Sequence, residues 1–421
     1  MGWGINKQQR NAVLSGWMAS PDTLHACTVV DMCSEARRVG SSTYEQSAVC
    51  LSRRICEALW RRTSTGGMLV MLFDNSEFTH SERRLFYQQR YKPPSAAKVE
   101  EAGRDVSKVV VGGFVHKIGS EPYTNAEIAE FTKFSKVNFN RLWASSHGKA
   151  AAWRMLADGC VHWHCSRGVP GEHRLVCWYK GDPRVWPMGD TALRAAASEM
   201  CNNTFGEADQ RVCEAAAVAA RTMSVRIQTI DTDMVLQCLC TKTFGANDMC
   251  LQLKNECVDV RKMRSGLGPR LAGKLKSTRK RQPLVSCAFW LMACGGVDYC
   301  KGLTRFGYTT ACLLKNMQRD ECGVAEHTPG GGVAINTGAL MAALARTKRR
   351  NMKAARWEDL ITEVNKMAFC VALFAGVGKL KAGCGGPSVP CAPWTRNTGC
   401  LTDSSIRASA GSAAPVVLED Q

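Results

Sequence analysis

Two short apolar runs, each closed by an aspartate, constrain the fold more than any other feature of this sequence. Residues 26–32 read Ala-Cys-Thr-Val-Val-Asp-Met, and residues 68–74 read Met-Leu-Val-Met-Leu-Phe-Asp. Neither run alternates apolar with polar residues. Each therefore predicts a strand buried on both faces, as in a parallel sheet covered by helices. Between them, residues 44–62 carry Val49, Ile55, Cys56 and Leu59 on one helical face. Strand, helix and strand in that order predict a right-handed βαβ unit. Asp31 and Asp74 then stand at strand tips, where open α/β sheets collect functional groups. A lone strand-end aspartate also serves simply to cap the next helix, so neither acid decides a function by itself.

The acidic pattern continues downstream. Residues 205–220 predict a helix with Glu207 and Asp209 in its first turn, where the dipole favours carboxylates. Residues 223–230 predict a strand that ends in Asp231-Thr232-Asp233. Two carboxylates so close repel each other, and a bound cation is the main thing that stabilises them. Residues 284–293 predict an apolar helix, which leads into Cys294-Gly295-Gly296-Val297-Asp298 and then a turn with Lys301, Arg305 and Gly307. Gly307 lacks a Cβ and lets its backbone approach a partner. The helix predicted from Thr309 to Met317 offers its first N–H groups to an anion.

Other segments are read more briefly. Residues 81–92 predict a helix mixing aromatic residues with Arg83, Arg84, Arg90 and Lys92, stopped by Pro93-Pro94. It is either a solvated face or a phosphate guide. Residues 106–115 and 174–179 predict strands and 125–147 a helix. Cys160-Val161-His162-Trp163-His164-Cys165 crowds four zinc-ligand types into six residues, too tightly for one tetrahedral ion and with no CxxC pair. Packed Cys and His in a strand is the favoured reading there. Residues 261–281 hold nine basic residues and no acid, which suits a phosphate-contacting loop or a nuclear address. A basic helical region at 346–356, with Arg349 and Arg350, and a helix at 357–374 follow. From residue 375 Gly, Pro, Ser and Cys dominate, so a mostly disordered tail is expected.

Composition sets the class. The chain has 421 residues, 45% of them hydrophobic, enough for one large domain or two ordinary ones. Its net charge of +18 favours a polyanionic partner, most simply nucleic acid. The 22 cysteines lie largely in apolar segments behind a polar N-terminus with no secretory pattern, so free thiols in a reducing compartment are expected. No apolar run reaches the ~18 residues of a membrane span, so no membrane partner is expected. Asn6 replaces the Ser or Thr of a myristoylation signal after Gly2.

Together these residues resemble the flap-endonuclease/XPG family of structure-specific 5′ nucleases. Asp298-Tyr299 through Gly307 to Ala311 is similar to the family's helix–two-turn–helix. Glu207-Ala208-Asp209 resembles its acidic pair, and Asp231-Thr232-Asp233 the next pair. Asp31 and Asp74 resemble the N-terminal strand-end acids, and Gly2 the family's N-terminal glycine. The likeness covers residues 1–92 and 199–318. It departs at Arg305, where the family keeps a glycine, and after Asp74, where Arg83, Arg84 and Arg90 are approximate counterparts of a lysine. The gap of 132 residues between Asp74 and Glu207 is longer than usual, and no sliding-clamp peptide is recognised. These departures suggest a divergent member, with viral members included.

The resemblance implies an α/β fold with a central, mostly parallel twisted sheet flanked by helices, PIN-like, plus a helix–two-turn–helix subdomain. It implies a nuclease region at 1–92, an enlarged insertion or cap at 93–200, a second nuclease region at 201–374 and the tail at 375–421. The implied activity is hydrolysis of flap, nicked or 5′-ended DNA by two Mg²⁺ ions, with Mn²⁺ as a substitute and K⁺ at the helix–two-turn–helix. Asp31, Asp74, Glu207 and Asp209 would hold one ion, and Asp231, Asp233 and Asp298 the other. Arg83 and Arg84 would grip the scissile phosphate. Gly2, Arg90, Lys92, Lys301, Arg305, Gly307, Thr309, Arg349 and Arg350 would contact the nucleic acid. The implied location is the nucleus or a viral replication compartment. The alternatives are an RNA-cleaving nuclease of the same fold, a non-cleaving DNA-structure-binding protein, and a zinc-dependent interaction protein built on Cys160–Cys165 and the tail cysteines.

Overall fold

The computed structural model describes residues 17, 19–20, 23–40, 48–74, 146–166, 173–179, 182–201, 208–241, 247–253, 256–265, 283–297, 300–319, 324–327, 333–336, 340, 343–344, 354–375 and 416–418. The chain divides into two compact units. One comprises Ser20–Asp231 and Phe244–Cys257, the other Met1–Ala19, Thr232–Thr243 and Val258–Gln421.

The first unit is built on a mostly parallel sheet with helices on both faces. Its elements are β1 (His25–Asp31), α1 (Met32–Gly40), α2 (Ala48–Trp60), β2 (Thr63–Leu72), α3 (Ser146–Ser166), β3 (Arg174–Trp178), β4 (Arg184–Trp186), α4 (Thr191–Met200), α5 (Ala208–Ala219), β5 (Val225–Gln228) and β6 (Met249–Gln252). With β7 (Cys257–Asp259), the strand order is β4-β3-β2-β1-β5-β6-β7. The pairs β1/β2, β1/β5, β2/β3 and β5/β6 are parallel, and β3/β4 is antiparallel. The apolar runs explain the central strands: Val29, Val30, Leu69, Val70 and Leu72 are wholly buried. On one face, Val30, Leu69, Met71, Phe73, Leu175 and Cys177 form a core with Ile55 and Leu59 of α2 and Trp153, Leu156 and Cys160 of α3. Helix α5 packs against β1, β2 and β5. Successive strands move outward from β1 in both directions, so the β1/β5 boundary is where the chain order reverses. Such a boundary opens a crevice at the carboxyl ends of the strands.

One expectation is corrected. Residues 160–165 lie in α3 and not in a strand. Their aromatic and Cys/His content suggests a strand when read alone, but Trp153, Leu156, Ala157, Cys160 and His164 are all buried along one helical face. That spacing over about three turns outweighs the local preference. His164 stacks on Trp60 with centroids 5.4 Å apart, and burial lowers its pKa to about 4. The segment 146–200 supplies α3, β3, β4 and α4 to the sheet unit.

The second unit contains α6 (Met234–Cys240), α7 (Leu284–Gly295), a 3₁₀ turn at Leu303–Phe306, α8 (Thr310–Arg319) and α9 (Ala354–Phe374). A small antiparallel sheet has the order β10-β9-β8, from Val416–Leu418, Val333–Ile335 and Ala325–His327. Helix α7 is apolar all round, and every residue from Val285 to Cys294 is buried. A helix of that kind belongs at the centre of its unit, and α6, α8, α9 and β8 all pack on it. Among the described residues no helix is long and apolar enough to cross a membrane. The described cysteines are free thiols, nearly all buried.

Candidate functional site

In the sheet unit, Asp31 ends β1, Asp74 lies two residues past the end of β2, and Asp231 follows the end of β5. These are three adjacent parallel strands, so the acids gather at the carboxyl side of the β1/β5 switch. Register brings them together. Asp31 pairs with Leu72, and Val30 with Gln228, which sets Thr229 beside Asp31.

A polar network fixes Asp31. Its Oδ1 accepts the Cys33 N–H at 3.0 Å and the Ser34 N–H at 3.2 Å, as an N-cap of α1 does. Its Oδ2 accepts the Ser34 hydroxyl and, at 3.0 Å, the Thr229 hydroxyl. Thr229 Oγ1 in turn accepts the Asp231 N–H at 3.0 Å. Capping alone would hold the Asp31 pKa low. Instead burial, followed by the charge of Asp74 and then that of Asp231, outweighs the Ser34 hydrogen bonds and raises it from 3.8 to about 6. Asp31 is thus a buried carboxylate held near two other charges, which simple capping does not explain.

Asp74 is held from across the sequence. Its Oδ1 accepts the N–H of Ala208, the first residue of α5, at 2.7 Å. One turn later on α5, Arg211 donates to the Phe73 carbonyl at 3.1 Å, and its guanidinium lies 4.1 Å from the Trp178 ring centroid. Arg211 is 3% exposed. Burial lowers its pKa to about 10, against the opposing pull of Asp74. Asp209 sits in the first turn of the same helix.

Among the described residues, no group of three or more His, Cys, Asp or Glu side chains is close enough to hold a metal ion. The donor chemistry nevertheless fits a hard divalent cation: three carboxylates, two of them buried, with the proton affinity of one raised by burial and then by the charges of the other two. Glu207, Asp298, Arg83, Arg84, Gly2, Arg90, Lys92, Arg349 and Arg350 lie outside the described residues. Residues 266–281 of the basic stretch and the segments predicted at 81–92 and 106–115 do as well.

Taken by itself, the second unit carries Asp233 at the start of α6, buried. It also carries the glycine turn between α7 and α8. Gly296, Gly302 and Gly307 have positive φ, and Gly307 is left-handed at φ 85° and ψ 17°. The turn is anchored by Glu363 of α9, which is 4% exposed. Its carboxylate accepts the Lys301 N–H at 2.9 Å and Lys366 Nζ at 3.2 Å, and Arg305 lies 3.7 Å away. Arg305 therefore has an internal acidic partner while staying partly exposed, and Thr309 is exposed beside it. Replacing Glu363 by Ala would leave the Lys301 amide and two cations without this acceptor. The expected loss is about 1–3 kcal/mol, measured by urea denaturation against Glu363→Gln, which keeps an acceptor oxygen.

Sequence reasoning missed Ser34, Thr229, Arg211 and Glu363. Arg211 had a visible signal, being the one basic residue in α5 and standing in the stripe of Ala208, Val212, Ala215 and Ala219. No protein-family model matches the chain, and no curated protein sequence matches it.

Proposed function

We propose that this chain is a divalent-cation-dependent nuclease, resembling the flap-endonuclease/XPG nucleases and acting on branched or 5′-ended DNA. The observation that carries the reading is the placement of Asp31, Asp74 and Asp231 at the carboxyl ends of the adjacent strands β1, β2 and β5, with burial first and then the charges of Asp74 and Asp231 raising the proton affinity of Asp31. The net charge of +18 supports a polyanionic substrate. The glycine turn between α7 and α8 supports reading the second unit as a helix–two-turn–helix platform for duplex, in a PIN-like protein of the nucleus or of a viral replication compartment.

In this reading Asp31, Asp74 and Asp231 hold Mg²⁺, with Mn²⁺ as a substitute. When bound, the ion supplies an activated water and neutralises charge on the phosphate. Ser34 and Thr229 orient the Asp31 carboxylate, and the Ala208 amide orients that of Asp74. The roles of Glu207, Asp209, Asp233 and Asp298, of the arginines at 83 and 84, and of K⁺ rest on the resemblance alone.

The test is cleavage of labelled flap DNA, nicked duplex and single-stranded RNA with Mg²⁺, comparing wild type with Asp231→Asn. Loss of a ligand is expected to lower the rate at least ~100-fold, since such an ion is worth several kcal/mol in the transition state. Equal rates in the two proteins would remove the catalytic reading. Cleavage of RNA alone would move the substrate to RNA.

A further inference from the structure

The guanidinium of Arg211 is buried at the edge of the carboxylate group, where a solvated surface cation would have no reason to sit. Three contacts fix its place. It donates to the carbonyl of Phe73, the residue before Asp74. It stacks on Trp178, whose carbonyl accepts the Phe73 N–H at 3.0 Å. It lies one helical turn beyond Ala208, whose amide holds Asp74 Oδ1. The charge is thus locked at the point where β2 delivers Asp74, and the electrostatic attraction between the two residues is evident.

From this geometry we infer that Arg211 is a resident cation, which takes up part of the negative charge of the carboxylate group and so weakens its hold on a divalent ion. The inference rests on the nuclease reading, because the same acids are its cation ligands. The physical reason is Coulombic. A permanent positive charge near the acids partly satisfies them before any ion arrives, and then repels the ion that comes. It also lets the group exist in the folded chain without an ion, where uncompensated buried carboxylates would oppose one another. An arginine suits this role better than a lysine, because its planar fork can hold a carbonyl and stack on indole together while keeping its charge. A divalent site relieved in this way binds its ion loosely and exchanges it readily. A residue that only braced Asp74 for metal binding would have the opposite effect, and its removal would weaken the ion's hold.

The experiment is Mn²⁺ titration of the full chain, followed by the electron paramagnetic resonance of free Mn²⁺ and by the thermal midpoint with and without the ion. Wild type, Arg211→Met, Arg211→Lys and Asp31→Asn are compared. In Arg211→Met the half-saturating Mn²⁺ concentration is expected to fall at least ~10-fold. The gap between midpoints with Mn²⁺ and with chelator should widen in the same variant. Arg211→Lys keeps the charge and should titrate close to wild type. If Arg211→Met folds only when Mn²⁺ is present, that also supports the inference, because the ion then replaces the missing charge. If Arg211→Met does not fold even with Mn²⁺, Arg211→Gln decides by the same midpoint. Unchanged or weaker Mn²⁺ binding on loss of the charge overturns the resident-cation role. Failure of the nuclease reading has a separate signature: wild type and Asp31→Asn would then titrate alike.

Discussion

Asp31→Asn is expected to make the ion-free protein more stable above pH 6 while removing its cleavage activity. In wild type, the Asp31 pKa stands at about 6 in the folded chain against 3.8 for the ordinary group. Between those values the folded state binds more protons than the unfolded state. The contribution of this group to stability is therefore greatest at low pH, falls as pH rises from about 4 to about 6, and levels off above. The displacement corresponds to roughly 3 kcal/mol withheld from the ionised form. Asn keeps the geometry: its oxygen can accept the Cys33 and Ser34 amides, and its amide can donate to the Ser34 and Thr229 hydroxyls, which are free to turn. With the charge gone, the variant should lack this pH dependence and gain about 2–3 kcal/mol at pH 7.5, or roughly 4–10 °C in the melting of a unit this size. Calorimetry in chelator at pH 5 and pH 7.5 reads both effects. Divalent ion should stabilise wild type far more than the variant. Cleavage should fall roughly 1,000-fold, about 4 kcal/mol of barrier. A variant less stable than wild type at pH 7.5 would mean that Asp31 serves as the cap of α1 and no more.

Such an exchange of stability for chemistry, once measured, would place the acids among functional groups, and their positions could be read in part in the sequence. The strands β1 and β2 were legible because buried parallel strands need unbroken apolar runs, and a carboxylate ending such a run is visible without any structure. The partners of those carboxylates were not. Thr229 reaches Asp31 across 198 positions, and only the β1/β5 register, Val30 opposite Gln228, brings it there. Ala208 reaches Asp74 across 134 positions. Local pattern carries no information about such pairings. The misreading of residues 160–165 has another origin. A six-residue window judged by residue type suggests a strand, whereas the helix is evident only when Trp153 and Leu156 are counted with Cys160 and His164. Glu363 was hidden for a third reason: a glutamate in a helix is ordinarily solvated, and its burial depends on a turn more than fifty residues upstream.

The turn gives the largest expected effect on stability. Gly296→Ala should destabilise the second unit by about 3–5 kcal/mol. Gly296 ends α7 with φ 67° and ψ −179°, a backbone region that side chains other than glycine's essentially exclude. Its amide donates to the Met292 carbonyl at 2.7 Å, so the chain cannot swing away without breaking the helix end. A Cβ at Gly296 would come 2.5 Å from the Cys300 carbonyl oxygen and 2.9 Å from the Gly302 nitrogen. Both are backbone atoms, and the Val297 and Cys300 amides bridge the turn at 2.9 Å and 3.3 Å. No flexible side chain is there to yield, so strain and overlap add. Gly189→Ala is the control, because a Cβ there meets nothing within 4 Å. Urea denaturation should separate the two variants clearly, with Gly189→Ala within ~0.5 kcal/mol of wild type. Duplex-DNA binding gives the functional half of the comparison. If the glycine turn grips the phosphate backbone, Gly296→Ala should bind duplex weakly even under conditions where it remains folded, because Lys301, Gly302 and Arg305 are carried by the displaced segment. A folded Gly296→Ala with unchanged duplex affinity would remove the turn from the nucleic-acid interface and leave binding to the basic residues elsewhere in the chain.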